Sequence, residues 1–400
     1  MDLVGLAEII SRTMRRPDPT KHQVLPFLVV LKLLASVSAT ANDDLVLLGE
    51  ALFFDTNLSL NRTQSCATCH NPAAAFTDSR ENQAGGAVSL GDDGYSFGDR
   101  NTPSITYAAM IPAFGRDGTG DYAGGAFYDG RAFDLVEQAG EPLTNPIEMN
   151  LPDKATVVER VRESSSHVVA LKRHFGDDVF FDVDMAFKAI SESIVAFQST
   201  PQFSPFDSKY DRFLRGEYVL TVEEEMGRKL FYSQIFNCHA CHLLDQREMQ
   251  PKSEFTTFRY HNIGVPVNTA VRQLNGLGVG YVDNGLHDNP AIDDPAEAGK
   301  FKVPTLRNVA VTAPYMHNGV FNDLETVIIF YNKYILKNIE SQTNPETNAH
   351  WGKPEVPPGP VDLALLREGQ PVSPMQVDLL VTFLELLTDQ RYEYLLDDDK

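Results

Sequence analysis

Apolar residues recur at helical spacing through "TVVERVRESSSHVVALKRHF" and again through "MAFKAISESIVAFQ", between residues 155 and 200. Charged residues fill the places between them, which predicts amphipathic helix. The same spacing marks "SPMQVDLLVTFLELLTDQ" (373–390), with Ser373 as its N-cap. Residues 82–125 are rich in Gly, Asp and Asn and read as loop. "GKPEVPPGP" (352–360) is a proline and glycine connector, and strand signals are few and short. The pattern predicts a mainly α protein with long loops.

One apolar stretch has a different character. "VLPFLVVLKLLASVSATA" (24–41) follows Arg15, Arg16 and Lys21 and ends in Ala39-Thr40-Ala41, a small-residue cleavage pattern. Residues 1–41 read as a secretory signal, with Met1 or Met14 as the start. Lys32 interrupts the run, which is short for a bilayer span. The mature chain is therefore expected in the periplasm and not embedded in the membrane. The full chain of 400 residues is 42% hydrophobic, ample for a globular core, and its formal net charge of −21 argues against nucleic acid as a partner.

A repeat organises the remainder. "GEALFFDTNLSLNRTQSCATCH" begins at Gly49 and "GRKLFYSQIFNCHACH" at Gly227. Both run Gly-x-x-Leu-Phe-aromatic into Cys-x-x-Cys-His. Thr221 and Glu224 form a capping-box signature ahead of the second copy. An exported chain can keep disulfides, yet Cys66, Cys69, Cys238 and Cys241 all fall within the two motifs. Two thiols at this spacing reach both thioether positions on one edge of a porphyrin, and the next histidine then lies beneath the iron. A zinc site would require two distant pairs to converge. It would not explain the histidine after the second cysteine each time. Two covalently bound haem c groups are expected, on Cys66, Cys69 and His70 and on Cys238, Cys241 and His242. The chain reads as two cytochrome c-type haem domains, 42–215 and 216–400.

The free face of each iron separates electron transfer from chemistry. Two strong ligands make a relay, whereas an open face admits peroxide. Near the first motif, "FYDGRAFDLVEQAGEPLTNPIEMN" (127–150) carries Gln138 and Glu148. A glutamate with a glutamine beside it can move the protons that peroxide cleavage needs. A solvated helix end would carry the same residue types. For the second iron, Met316, His317, His261 and Tyr331 all qualify by chemistry, and spacing does not choose among them.

"TQSCATCHNP", "GDRNTPS", "FYDGRA", "EQAGEPLTNPIEM", "FSPFDSKYDR", "YHNIGVPVN", "FKVPTLRNVAVTAPYMHNGVF" and "FYNKY" together resemble the di-haem cytochrome c peroxidase family across nearly the whole mature chain. The resemblance implies a high-spin, peroxide-binding haem on His70 in the N-terminal domain and a six-coordinate haem on His242 in the C-terminal one. Tyr331 matches the tyrosine ligand of one branch of the family, where ordinary members carry methionine. Gln138 and Glu148 match distal-pocket residues, and Pro142 lines the same pocket. Family members hold calcium between the haems. Asn101 would bind it by side chain, and Thr312 and Pro314 by backbone carbonyls; hard oxygen donors suit that ion.

The matching branch uses hydrogen peroxide, or oxygen plus electrons, to complete tryptophan tryptophylquinone in a precursor of methylamine dehydrogenase. Electrons leave that protein substrate over a long range. The resemblance also allows a peroxidase fed by an electron-donor protein, or an enzyme oxidising tryptophan on another protein. Two departures touch the electron path. Tyr128 stands where the family usually has tryptophan between the haems, and Phe236 where the branch has a surface tryptophan. Trp351 is the only tryptophan in the chain.

Overall fold

Each Gly-x-x-Leu-Phe repeat lies on a helix that a later helix crosses. The structure, a computed structural model, describes residues 43–243, 250–278 and 280–396. The expected signal segment, 1–41, lies outside the described residues. The first part of the chain folds as α1 (residues 43–53), α2 (Cys66–Cys69), α3 (Leu135–Thr144), α4 (Lys154–Arg162), α5 (Ser165–Phe175) and α6 (Val183–Gln198). Then follow α7 (Lys209–Leu214), α8 (Val222–Tyr232), α9 (His239–His242) and α10 (Thr269–Leu274). The last four are α11 (Leu324–Phe330), α12 (Asn332–Ile335), α13 (Pro360–Arg367) and α14 (Pro374–Glu385). Among the described residues the strands form three antiparallel pairs: β1 (Gly115–Arg116) with β2 (Tyr122–Ala123), β3 (Tyr260–His261) with β4 (Phe301–Lys302), and β5 (Thr343–Asn344) with β6 (Ala349–His350).

The two glycines explain the repeat. A Cβ on Gly49 in α1 would fall 1.9 Å from the Ser193 carbonyl oxygen in α6, and one on Gly227 in α8 would fall 2.0 Å from that of Leu379 in α14. Only a residue without a side chain lets the two backbones approach so closely. One turn on, Phe53 meets Phe197 with ring centroids 5.4 Å apart, and Phe231 meets Phe383 at 4.9 Å. Each crossing seeds a core. The first gathers Leu52, Phe53, Phe76, Ile190, Ile194 and Phe203, and the second Tyr210, Phe231, Phe255, Leu380, Phe383 and Leu387. Each such side chain contributes about 1.5–3 kcal/mol when fully buried.

The expected helical stretch 155–200 is three helices. Gly176 takes φ 98° and ends α5, while Ser164 and Asp182 cap the starts of α5 and α6. Thr221 and Glu224 close a capping box on α8, as Ser373 and Gln376 do on α14. α14 stops at Glu385, short of the expected 390. The cause is Asp389, whose carboxylate accepts from Tyr107 Oη at 2.6 Å and Asn308 Nδ2 at 2.8 Å. These bonds hold the chain in another course. Among the described residues no helix is long and apolar enough to cross a membrane.

Candidate active site

α2 and α9 present their motifs in the same way. His70 Nδ1 lies 3.0 Å from the Phe76 carbonyl oxygen, and His242 Nδ1 lies 3.0 Å from that of Phe255. A carbonyl only accepts, so Nδ1 carries the proton and Nε2 keeps a lone pair for a metal. Burial holds both imidazoles below their usual range, His242 down to about 4, so they stay neutral.

All four cysteines are free. Burial pushes the Cys66 and Cys238 thiols up to about 12 and Cys69 up to about 11. Neutral thiols in a dry site suit thioether attachment and oppose zinc thiolates. No three His, Cys, Asp or Glu side chains among the described residues assemble into a metal site. The motif residues therefore fit haem and do not fit zinc.

Cys66, Cys69 and His70 open onto a cavity of about 690 Å³, a volume typical of cofactor pockets. α3 forms one wall. Asp134 caps this helix by accepting from the Glu137 amide, and Gln138 and Pro142, four residues apart, both line the cavity. Gly140 lets α6 approach the helix: an added Cβ would sit 2.5 Å from the Phe187 ring. Glu148 lines the cavity from the loop after α3. Its amide donates to Asn145 O at 3.0 Å, and its carbonyl accepts from the Asp92 amide at 2.8 Å. Burial raises the Glu148 carboxyl, outweighing the hydrogen bond from Asn145 and the charge of Arg131. A raised carboxyl on a cavity wall is suited to exchanging protons.

Tyr128 lines the same cavity, and its carbonyl accepts from the Lys302 amide at 2.9 Å. Three cations join it there: Arg100, Arg131 and Lys302. Arg100 pairs with Asp129 at 2.6 Å and Asp283 at 2.7 Å. Lys302 is buried, donates its ammonium to the Gly125 carbonyl, and is pulled down to about 7 by burial. None of these three stands out in sequence. Their signal was a cation inside "GDRNTPS", "FYDGRA" and "FKVPTLRN". Asn101 also lines the cavity, and its amide donates to His317 O at 2.7 Å. That bond ties its loop to the segment containing Thr312 and Pro314.

Of the four candidates for the second iron, two reach the second motif. Tyr331 sits where α11 meets α12, with its phenol raised by burial and by the Cys241 and Cys238 sulfurs. His261 bonds Asp362 at 3.2 Å and also meets Cys241. Burial opposes its charge, yet those two partners push it up to about 10. His317 instead stacks on Phe301, 3.5 Å between centroids, beside a small cavity lined by Asp283 and Glu355. Met316 precedes it in a left-handed turn, φ 71°. Phe236 is half-buried two residues before Cys238, and Trp351 packs on Phe321 and Phe330.

Two haem motifs with free imidazole nitrogens, one facing an open cavity with a raised carboxyl, define a di-haem peroxidase. Residues 43–219 match the family described as di-haem cytochrome c peroxidase, and the chain belongs to that family. It is 53% identical over 366 residues to the methylamine utilization protein MauG of Paracoccus denitrificans (strain Pd 1222), covering 92% of this chain and 94% of that one. A MauG of Methylorubrum extorquens is 30% identical over 290 residues, 72% of this chain and 68% of that one. Among solved structures, the diheme peroxidase BthA from Burkholderia thailandensis E264 superposes with a TM-score of 0.76 at 32% identity, covering 87% of each chain. The protein is a haem-dependent oxidoreductase with two haem groups.

Proposed function

We propose that this protein uses hydrogen peroxide, or oxygen plus electrons, to complete tryptophan tryptophylquinone in a precursor of methylamine dehydrogenase, working in the periplasm. The observation that carries this reading is Tyr331 beside Cys238 and Cys241, in a chain 53% identical to a methylamine utilization protein. When bound, the haems supply the redox chemistry, taking electrons from the substrate and passing them to peroxide.

The chain's own residues do the rest. His70, on the wall of the cavity, would hold the first haem iron through Nε2. Glu148 accepts a proton from incoming peroxide and returns it to the leaving oxygen. Gln138 orients that oxygen through its amide, and Pro142 excludes water. His242 and Tyr331 would hold the second haem iron. A phenolate is a hard anion and favours the more oxidised metal. Tyr128 lines the cavity and would pass an electron between the two haems, provided its phenol proton has somewhere to go. The Asn101 side-chain amide donates to Ala87 O at 3.0 Å, so its Oδ1, with the Thr312 and Pro314 carbonyl oxygens, would offer neutral hard ligands to calcium. The proposed domains, 42–215 and 216–400, would each carry one haem.

Mixing the haem-loaded protein with the precursor and peroxide tests the reading. The quinone absorption should grow in. Rapid peroxide turnover with reduced cytochrome c, and an unchanged precursor, would instead point to a peroxidase fed by an electron-donor protein. Oxidation of tryptophan on a different protein is the reading that Phe236 favours, because this ring is much harder to oxidise than the surface tryptophan of the branch.

A further inference from the structure

The chain's single tryptophan lies on the Tyr331 side of the second haem motif. Trp351 is half-buried, with one part of its indole open to solvent. Its inner part packs against Phe330 at 5.2 Å between centroids and Phe321 at 5.6 Å. Phe330 is fully buried and meets Tyr331 at 6.1 Å. One dry aromatic ring therefore separates an oxidisable surface indole from a phenol that lies against Cys238 and Cys241. The Trp351 Nε1–H donates to the Ser341 carbonyl at 2.9 Å, and its backbone amide donates to Gln342 O at 3.1 Å. The indole is held rigidly.

We infer that Trp351 is an electron relay, through which electrons from the protein substrate enter toward Tyr331. The inference rests on the proposed reading that peroxide oxidises the haem pair. Peroxide takes two electrons and two protons and leaves as two waters. The protein substrate gives up two electrons and two protons per peroxide, and the indole carries the electrons one at a time. It loses one electron inward past Phe330 and no bonded atom. Its N–H stays on Ser341 O, so the oxidised indole is a cation radical. An aromatic side chain of the protein substrate then returns one electron to it.

The neighbouring rings do not compete. Phe330 is hard to oxidise, and Lys333 Nζ lies 3.5 Å over its face. Phe330 is thus a bridge and not a resting place. Tyr334 also touches Phe330, at 6.2 Å, but its hydroxyl donates to the Ile263 carbonyl at 2.7 Å. An oxidised phenol must shed its proton, and a backbone carbonyl is too weak a base to take it. An indole has no such requirement. Phe236, near Cys238, is likewise closed to oxidation by its chemistry.

The haem-loaded protein, pulsed with peroxide without substrate and freeze-quenched, should show a tryptophan radical by high-field EPR. With one tryptophan in the chain the assignment is unambiguous. Trp351→Phe should lose that signal, prolong the peroxide-oxidised spectrum and lose substrate oxidation, with both haems still attached. Trp351→Tyr, an oxidisable ring, should restore part of the substrate oxidation. Absence of a tryptophan radical in the parent protein, or unchanged decay and substrate oxidation in Trp351→Phe, would overturn the relay while leaving the haem reading intact. A haem spectrum that does not respond to peroxide at all would overturn both.

Discussion

Gly227 lies so close to Leu379 that a methyl group on it would fall 2.0 Å from the Leu379 carbonyl oxygen, and Gly49 faces Ser193 at 1.9 Å in the same sense. Neither carbonyl can step aside without breaking its own helix. Alanine at either position gains about 1 kcal/mol in helix propensity. It loses about 1–3 kcal/mol or more to overpacking at the crossing. Gly227→Ala and Gly49→Ala should therefore both lower the denaturant midpoint of the haem-loaded protein. Midpoints equal to the parent's would mean that these helices cross further apart.

Local patterns made part of this architecture readable. The glycine, the Leu-Phe pair and Cys-x-x-Cys-His are each the only residue types that suit their place, so the repeat announces itself. Thr221 and Ser373 are caps whose partners lie three residues on. The remainder depends on residues far apart in the chain. Asp389 ends α14 early because Tyr107 and Asn308 hold its carboxylate, and no local period near 389 reports that. Gln138 and Glu148 look like a solvated helix end until α3 closes over the cavity. Lys302 and Arg100 reach the same cavity from separate segments, so neither carries a sequence signal of its own. Tyr331 could not be separated from His261 by spacing because both do approach the second motif.

Arg307 is fully buried and chelates Asp211 at 2.6 and 2.9 Å, with the rings of Tyr107, Phe206 and Phe255 around it. Arg307→Met would leave a buried carboxylate without its partner, at a cost of about 3–5 kcal/mol. Burial opposes the Asp211 charge, but the bonds from Arg307 prevail and depress its pKa below 3.8. That stabilisation is complete above the unfolded value and is lost as the pH falls through the depressed folded one. Denaturant unfolding across the acid range should show the loss in the parent protein. Arg307→Met should lack that acid limb. An identical limb in both proteins would assign it to other carboxylates.

Tyr331→His would replace the proposed phenolate donor by a neutral imidazole. Both haems should stay attached, because the thioethers depend on Cys66, Cys69, Cys238 and Cys241. The second haem should convert to a bis-histidine spectrum with a higher potential, since the anion that favours oxidised iron is gone. Completion of the quinone should be lost. Mass spectrometry reads the first outcome, spectroelectrochemistry the second and precursor absorption the third. Quinone formation at the parent rate would exclude Tyr331 as the ligand and turn attention to His261, which also reaches Cys241.

The proposed role of Glu148 as proton acceptor sets an acid limit on the peroxide reaction. Its carboxyl is raised above 4.5, chiefly by burial, and only the ionised form can take the proton that peroxide gives up. The rate of peroxide reaction should therefore fall as the pH drops through that raised value, above the range of an exposed glutamate. The stability effect has the opposite sign. A raised acid contributes stability that is present below 4.5 and is lost as the pH rises through the folded value. Glu148→Gln removes the proton acceptor and the buried charge together. Its peroxide rate should fall by about 10²–10⁴ and lose the acid limb, while its stability at neutral pH should rise. Stopped-flow mixing across the pH range measures the first effect, and thermal unfolding measures the second. If Glu148→Gln kept the parent's pH profile, the proton would belong elsewhere. Glu141 would be the next group to change, because burial raises it too, against the pull of Arg131.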